Sequence, residues 1–398
     1  MESSAIIPFR IDIPQDAIED LRARLDVARF AVQLPGPVNE WAQPAPEDRD
    51  WSRGVPDSWL RDTVAYWRDE FDWRAFEERV NAIPQFVTEI DGQRIHFLHV
   101  RSSHPDATPL ILTHGWPGSF IEFLGMIGAL TEPQEHGGEA SEAFHVVIPS
   151  VPGFTFSSPL VDASWDDTHV ARAFAELMTR LGYDRFLAHG GDYGAGIAPK
   201  LGRVAPDRVV GVHVNGTTGT MPELPLPPEE AASLTEREQR AIADYEAFGW
   251  SQMGYISLQS TRPGLVGSML ADSPVAQLVW MMDKFQAWTW PIQDPVFDIL
   301  DRDLLLANVS LYWFTSTAGS AALTVYAQAS GWGTQKQTSG IPTAVINFAH
   351  DIAIRRYVEK ENSVVRWTDV ERGGHFAALE EPGLLVQDLR AFSADLMK

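Results

Sequence analysis

The 398-residue chain contains no cysteine, which removes disulfides, thiolate metal sites and a cysteine nucleophile together. It is also short of bases: 31 Lys and Arg stand against 54 Asp and Glu, a formal net charge of −23. Such a chain repels phosphate backbones and anionic lipids, so nucleic acid and membrane surfaces are poor partners. A neutral or cationic small molecule fits better. No apolar run approaches the roughly 18 residues of a membrane span. The opening MESSAIIPFRIDIPQDAIEDL lacks a signal-peptide layout, so an unexported, cytoplasmic protein is expected. Repeats and low-complexity tracts are missing too. His96, His99 and His104 are spaced too irregularly for metal ligands, and neither a metal nor a cofactor is expected.

What is present is ample core material, 44% of the residues being hydrophobic. Residues 14–80 carry helical spacing, with Leu21 and Leu25 four apart and aromatics recurring through WLRDTVAYWRDEFDW. From Phe86 the pattern turns to short apolar runs: FVTEI and RIHFLHV around an Asp91-Gly92 turn, which form a hairpin, then LILTHG and FHVVIPS. The last two are apolar throughout, as in parallel strands covered on both faces. SWDDTHVARAFAELMTRLG predicts a helix with a capping box from Ser164 to Asp167, an apolar face of Val170, Phe174, Leu177 and Leu181, and a stop at Gly182. RFLAHGG, a helix from about Ala195 to Val204, and VVGVHVN continue the alternation, which makes the fold α/β. After Gly216 the proline-rich PELPLPPEE leads into a helical, aromatic segment, and strand signals return only with TAVINFA (343–349) and SVVRWTDV (363–370). The expected organisation is a helical N-terminal extension over 1–85, a core in two parts, 86–215 and 336–398, and an inserted helical cap over 216–335.

The corner between strand and helix reads LAHGGDYGAG. Gly190-Gly191-Asp192-Tyr193-Gly194 has the small-x-nucleophile-x-small spacing of a nucleophile elbow, a strained turn that lifts its central residue above the sheet. An aspartate there is ionised and needs no base to attack. On an acyl carbon it would give an anhydride that reverts, so the sensible electrophile is an alkyl carbon of an epoxide or a carbon–halogen bond, giving an ester. From this stretch alone, an aspartate that caps the next helix fits as well. Two later segments tip the balance. Asp351 lies just beyond TAVINFA, and His375 sits in the loop RGGHFAALEEP. Nucleophile, acid, histidine is the order of the α/β-hydrolase fold, and an oriented histidine is what hydrolysis of the ester requires. HGWPGSF (114–120) follows a strand, and the backbone N–H groups of Trp116 and Tyr193 are the expected oxyanion hole. Opening an epoxide also needs an acid for the alkoxide, and a phenol from the cap is suitable. Tyr255, Tyr312 and Tyr326 are the candidates, each also readable as a packing residue. Trp250, Trp280, Trp288, Trp290, Trp313 and Trp332 are either buried core or an aromatic pocket.

Several stretches in order resemble the microsomal-type branch of the epoxide hydrolases: PFRIDIPQDAIEDLRARL, YWRDEFDWRAFEERVNAIPQFVTEIDGQRIHFLHVRS, THGWPGSFIEF, IPSVPGFTFS, GGDYG, STRP, DSPVAQL and RGGHFAALEEP. The resemblance runs over nearly the whole chain. It implies an α/β-hydrolase core with a helical lid and a wrapping N-terminal region. It also implies Asp192 as nucleophile, His375 as base, Asp351 as its acidic partner and Tyr255 as one of two ring-opening phenols. The second phenol's position falls on Val325, with Tyr326 one residue later and about 100° round a helix. The partner implied is a small hydrophobic epoxide, of aromatic or natural-product kind as in secondary metabolism; a homodimer is allowed. Three rivals keep the same scaffold: an epoxide opened by a nucleophile other than water, a haloalkane dehalogenase, and a binding protein without catalysis.

Overall fold

A computed structural model describes residues 5–31, 51–216, 218–328 and 338–397. Trp332 and the expected cap boundary at 335 lie outside them. The centre is one nine-stranded sheet: β1 (Ile7–Phe9), β2 (Gln85–Ile90), β3 (Gln93–Val100), β4 (Thr108–Thr113), β5 (Phe144–Pro149), β6 (Phe186–Gly190), β7 (Val209–Asn215), β8 (Pro342–Asn347) and β9 (Ser363–Asp369). Its spatial order is β1-β2-β3-β5-β4-β6-β7-β8-β9. The first three strands and the β3–β5 pair are antiparallel. From β5 to β9 every pairing is parallel. All residues of β5 and β6 are buried, the result of helices on both faces. The Asp91-Gly92 turn joins β2 to β3 with both residues at positive φ, 51° and 75°, as a tight hairpin turn requires.

Three local expectations are corrected. The short β1, Ile-Pro-Phe, pairs with β2 and was hidden from periodicity by its length and its proline. The helix Asp167–Arg180 is capped by Asp166 rather than Ser164. The Asp166 carboxylate accepts the N–H of Thr168 (2.9 Å) and of His169 (2.8 Å), a stronger partner for the positive helix end than a hydroxyl. The helix after the elbow begins at Tyr193, two residues earlier than expected, directly behind the raised aspartate.

Between β7 and β8 the described chain is helical, chiefly Glu236–Ser251, Gly254–Thr261, Pro263–Asp272, Pro274–Trp288, Arg302–Thr315 and Ala318–Gln328. The N-terminal helices Asp57–Asp69 and Trp73–Asn81 bind this insertion. Buried Trp67 donates its indole N–H to Ser310 Oγ (3.0 Å), Tyr66 donates to Asp303 (2.7 Å), and Trp73 packs edge-on against Phe314. None of the described helices is long and apolar enough to cross a membrane.

Behind the sheet, Asp388 of the last helix, Pro382–Leu396, accepts from Arg366 (2.7 and 2.9 Å), Thr368 (2.7 Å) and His213 (3.0 Å) while only 4% exposed. Burial works against its charge, but these donors hold its carboxyl well below the usual range. A depressed pKa stabilises the fold above the unfolded value and is lost as pH falls through the acid range. Asp388→Ala strips Arg366 and His213 of their acceptor and is expected to cost about 3 kcal/mol, read from the urea midpoint at neutral pH; the loss should shrink in acid.

Candidate active site

The elbow lies at the carboxyl end of β6, in the middle of the sheet. Asp192 holds φ 51° and ψ −118°, a conformation that non-glycine residues adopt only when their surroundings force it. The neighbours supply that force: a Cβ on Gly190 would run into the Gly194 backbone, and one on Gly194 into the carbonyl of Thr113. The carboxylate makes no helix-capping bond, so the capping reading of this residue fails. It turns instead to the loop after β4, where Trp116 N–H donates to Asp192 Oδ1 at 2.8 Å. Tyr193 N–H is the second backbone donor. Both expected oxyanion donors therefore meet at this carboxyl group.

The loop holding Trp116 is itself clamped. His114 is fully buried and pushed down to about 4, chiefly by burial, so it is neutral; its Nε2 accepts Val151 N–H and its Nδ1 faces the Gly115 carbonyl (3.0 Å). From the insertion, Asn308 donates to Pro117 O (2.7 Å) and Tyr312 to Gly118 O (2.7 Å).

His375 approaches from the other side, Nε2 lying 3.3 Å from Asp192 Oδ2 in an ion-pair contact. Both side chains sit deep in the molecule yet keep 25% and 30% of their surface open. That surface faces a small cavity, about 10 Å³, room for one water, walled by Trp116, Glu122, Asp192, Asn215, His375 and Phe376. Burial works against charge on His375, but the contact with the Asp192 carboxylate, helped by Asp351, outweighs it and raises its pKa. Asp192 is the mirror case: burial pushes it up, and His375 with the two N–H groups brings it below the ordinary value. Asp351 arrives on the β8 loop, whose His350 N–H bonds Gly373 O (3.3 Å) and so lays the two loops side by side. Burial pushes Asp351 up to about 6, opposed by His375 and by the N–H groups of Phe348 and Gly216.

Of the candidate phenols, Tyr255 reaches the site. Its ring stacks on Trp116 (4.9 Å, 9°) and meets Trp288 edge-on (5.4 Å), and its hydroxyl bonds no described residue. Burial and the Asp192 charge push its pKa up, so it remains a neutral donor. Tyr312 is near, but its hydroxyl is committed to Gly118. Tyr326 is not brought to the cluster: it is 50% exposed on the helix Ala318–Gln328, the outward turn that a one-residue offset produces. Of the tryptophans, Trp288 stands over His375 (5.0 Å between rings), whereas Trp250 is 83% exposed and lines nothing.

Two carboxylates here carried no sequence signal of their own. Glu122 lines the cavity, and burial together with the Asp192 charge pushes it up to about 8, so it is protonated at neutral pH. Glu380, five residues beyond His375, accepts three backbone N–H groups around the histidine loop. Each lies inside a stretch already recognised, THGWPGSFIEF and RGGHFAALEEP; only the folded backbone shows what the side chain meets.

The chain is similar to known proteins over nearly its whole length. Residues 6–123 match the family described as epoxide hydrolase N terminus, and residues 108–252 match the alpha/beta hydrolase fold. A candidate epoxide hydrolase of Stigmatella aurantiaca (strain DW4/3-1) is 43% identical over 97% of this chain and 84% of its own length. Epoxide hydrolase 1 of Sus scrofa is 33% identical over 98% of the chain and 89% of its own. The structure of Aspergillus niger epoxide hydrolase superposes with a TM-score of 0.83 at 32% identity, covering 99% of this chain and 97% of that one.

Proposed function

The chain belongs to the epoxide hydrolase family and carries its α/β-hydrolase fold, and from that premise we propose that it opens a hydrophobic epoxide through an ester on Asp192. The observation that carries this reading is the Asp192 carboxylate itself, held by Trp116 N–H on one oxygen and 3.3 Å from His375 on the other. With Oδ1 held by Trp116 N–H, Oδ2, in contact with His375, is the oxygen that attacks a ring carbon. The carbon–oxygen bond of the ring breaks as the ester bond forms, and the alkoxide takes the Tyr255 proton. Ester formation removes the negative charge that raised His375, so the imidazole becomes a neutral base when water must be activated. His375 takes a proton from water as its oxygen adds to the Asp192 carboxyl carbon, and the oxyanion rests on the N–H groups of Trp116 and Tyr193. Collapse expels the diol alkoxide, which receives the His375 proton. The remaining proton on the Asp192 carboxyl ends on the Tyr255 phenolate.

Residues 216–335 act in this scheme as a lid that brings Tyr255 over the ring, and Asp351 orients His375. Trp116, which lines the cavity, carries the Tyr255 ring stacked on it with Trp288 edge-on beyond, and this aromatic surround favours a flat, aromatic substituent beside the epoxide.

A single turnover in ¹⁸O-water with enzyme in excess tests the scheme. The first diol should be unlabelled, because its new oxygen comes from Asp192, and the label should map to the Asp192 peptide. Label appearing directly in that first diol would mean that water attacks the ring, and would end the covalent reading. Tyr255→Phe should slow ring opening on the order of 10²-fold. Tyr326→Phe should leave it within about twofold, since an exposed phenol away from the cluster contributes little.

A further inference from the structure

The loop carrying His375 is fixed less by its own turn than by one side chain. Glu380 Oε2 accepts the N–H of Gly374 (2.7 Å) and of Trp290 (2.9 Å), and Oε1 accepts the N–H of Phe376 (2.9 Å). The residue between, His375, donates its own N–H to Trp288 O at 3.0 Å. Every backbone N–H from 374 to 376 is thus satisfied by Glu380 or by the lid, and the same carboxylate takes the N–H of Trp290, just past the end of the lid helix Pro274–Trp288. The block is tight: a Cβ on Gly374 would stand 2.6 Å from Trp288 O and 3.0 Å from both Glu380 Oε2 and Trp290 N. The Trp288 ring lies 5.0 Å from the His375 imidazole and 5.4 Å from the Tyr255 ring. A half-buried carboxylate that accepts three converging N–H groups leaves those donors unpaired when it is lost.

We propose that Glu380 is the positioning residue of the general base: it locks the histidine loop to the lid, so that Nε2 faces the Asp192 carboxyl carbon when the ester must be hydrolysed. It touches neither substrate nor the reacting atoms. The proposal rests on the reading of Asp192 and His375 given above, and it makes a step-specific claim. Asp192 attacks without the histidine loop in register; water activation does not proceed without it.

The test follows ester formation and ester decay separately, by rapid quench and intact-protein mass, with styrene oxide as probe. In Glu380→Gln, one oxygen remains and an NH₂ opposes an N–H. Formation should stay within about threefold of the parent while decay slows roughly 10- to 100-fold, the scale of a sub-ångström to ångström misplacement, so that the ester accumulates. Glu380→Ala should go further in the same direction; if it does not fold, Glu380→Gln alone decides. Equal slowing of both steps, or a decay rate like that of the parent, would overturn the proposal and leave Glu380 as a structural staple. His375→Gln run in parallel separates the two levels. If that variant traps ester and Glu380→Gln does not, only the positioning role fails; if His375→Gln traps none, the reading beneath it fails.

Discussion

His375→Gln should convert one equivalent of epoxide per active site and then all but stop, with steady turnover down about 10³- to 10⁴-fold. The physical reason is the division of labour at the elbow. Ring opening needs an anionic Asp192 and a proton from Tyr255, neither of which His375 supplies. Ester hydrolysis needs a base within reach of the one water the cavity admits, and His375 is the only imidazole on its wall among the described residues. Glutamine keeps the volume without the basicity. Intact mass should therefore rise by one epoxide, with the adduct on the Asp192 peptide. In the parent enzyme, ester decay should increase with pH through the histidine titration and then level, because only the neutral imidazole takes a proton. A variant that turned over at the parent rate, or that carried no adduct while remaining folded, would contradict the assignment.

Asp192→Ala should show the larger loss, about 10⁴- to 10⁶-fold in kcat, with no adduct from any epoxide, and the double variant Asp192→Ala/His375→Gln should be no worse. Removal of the carboxylate also removes the charge that raises His375, so the imidazole pKa should fall, which NMR titration can follow. The protein should stay folded, and its backbone should relax in part: the tight glycine neighbours still shape the turn, but the bond to Trp116 N–H that helps hold φ near 51° is gone. A gain in melting temperature accompanying the loss of activity would be the sign of that released strain.

The strands, the elbow and the histidine loop could be read from the chain because each is a local matter. All-apolar runs such as FHVVIP mark strands covered on both faces, and glycines around a raised residue mark the turn. The sequence places the cap two residues early, at Ser164, because Ser164 and Asp166 are both suitable capping residues before the same apolar face and sequence does not rank their geometry. Tyr326, a candidate acid with a one-residue offset, turns outward because that offset is small along the chain and about 100° around a helix. Glu122 and Glu380 were out of reach for a different cause. Their neighbours are backbone groups and a cavity wall, which no side-chain pattern encodes. Tyr312 is a candidate acid by its place in the cap and equally readable as a packing residue, and the Gly118 carbonyl 2.7 Å away shows that its proton is already in use.

The N-terminal helices grip the segment Arg302–Thr315 through Trp67 and Tyr66, and Glu380 pins the chain at Trp290. The roof over the nucleophile is therefore bolted at two corners. The third corner is thinly packed: Glu236–Ser251 buries only Ala241, and Gly254–Thr261 only Gln259. That loose corner is the one bearing Tyr255. In the proposed mechanism a swing of that corner carries the proton donor away with it, so that an epoxide enters while ring opening is switched off, and cleavage waits for the corner to close.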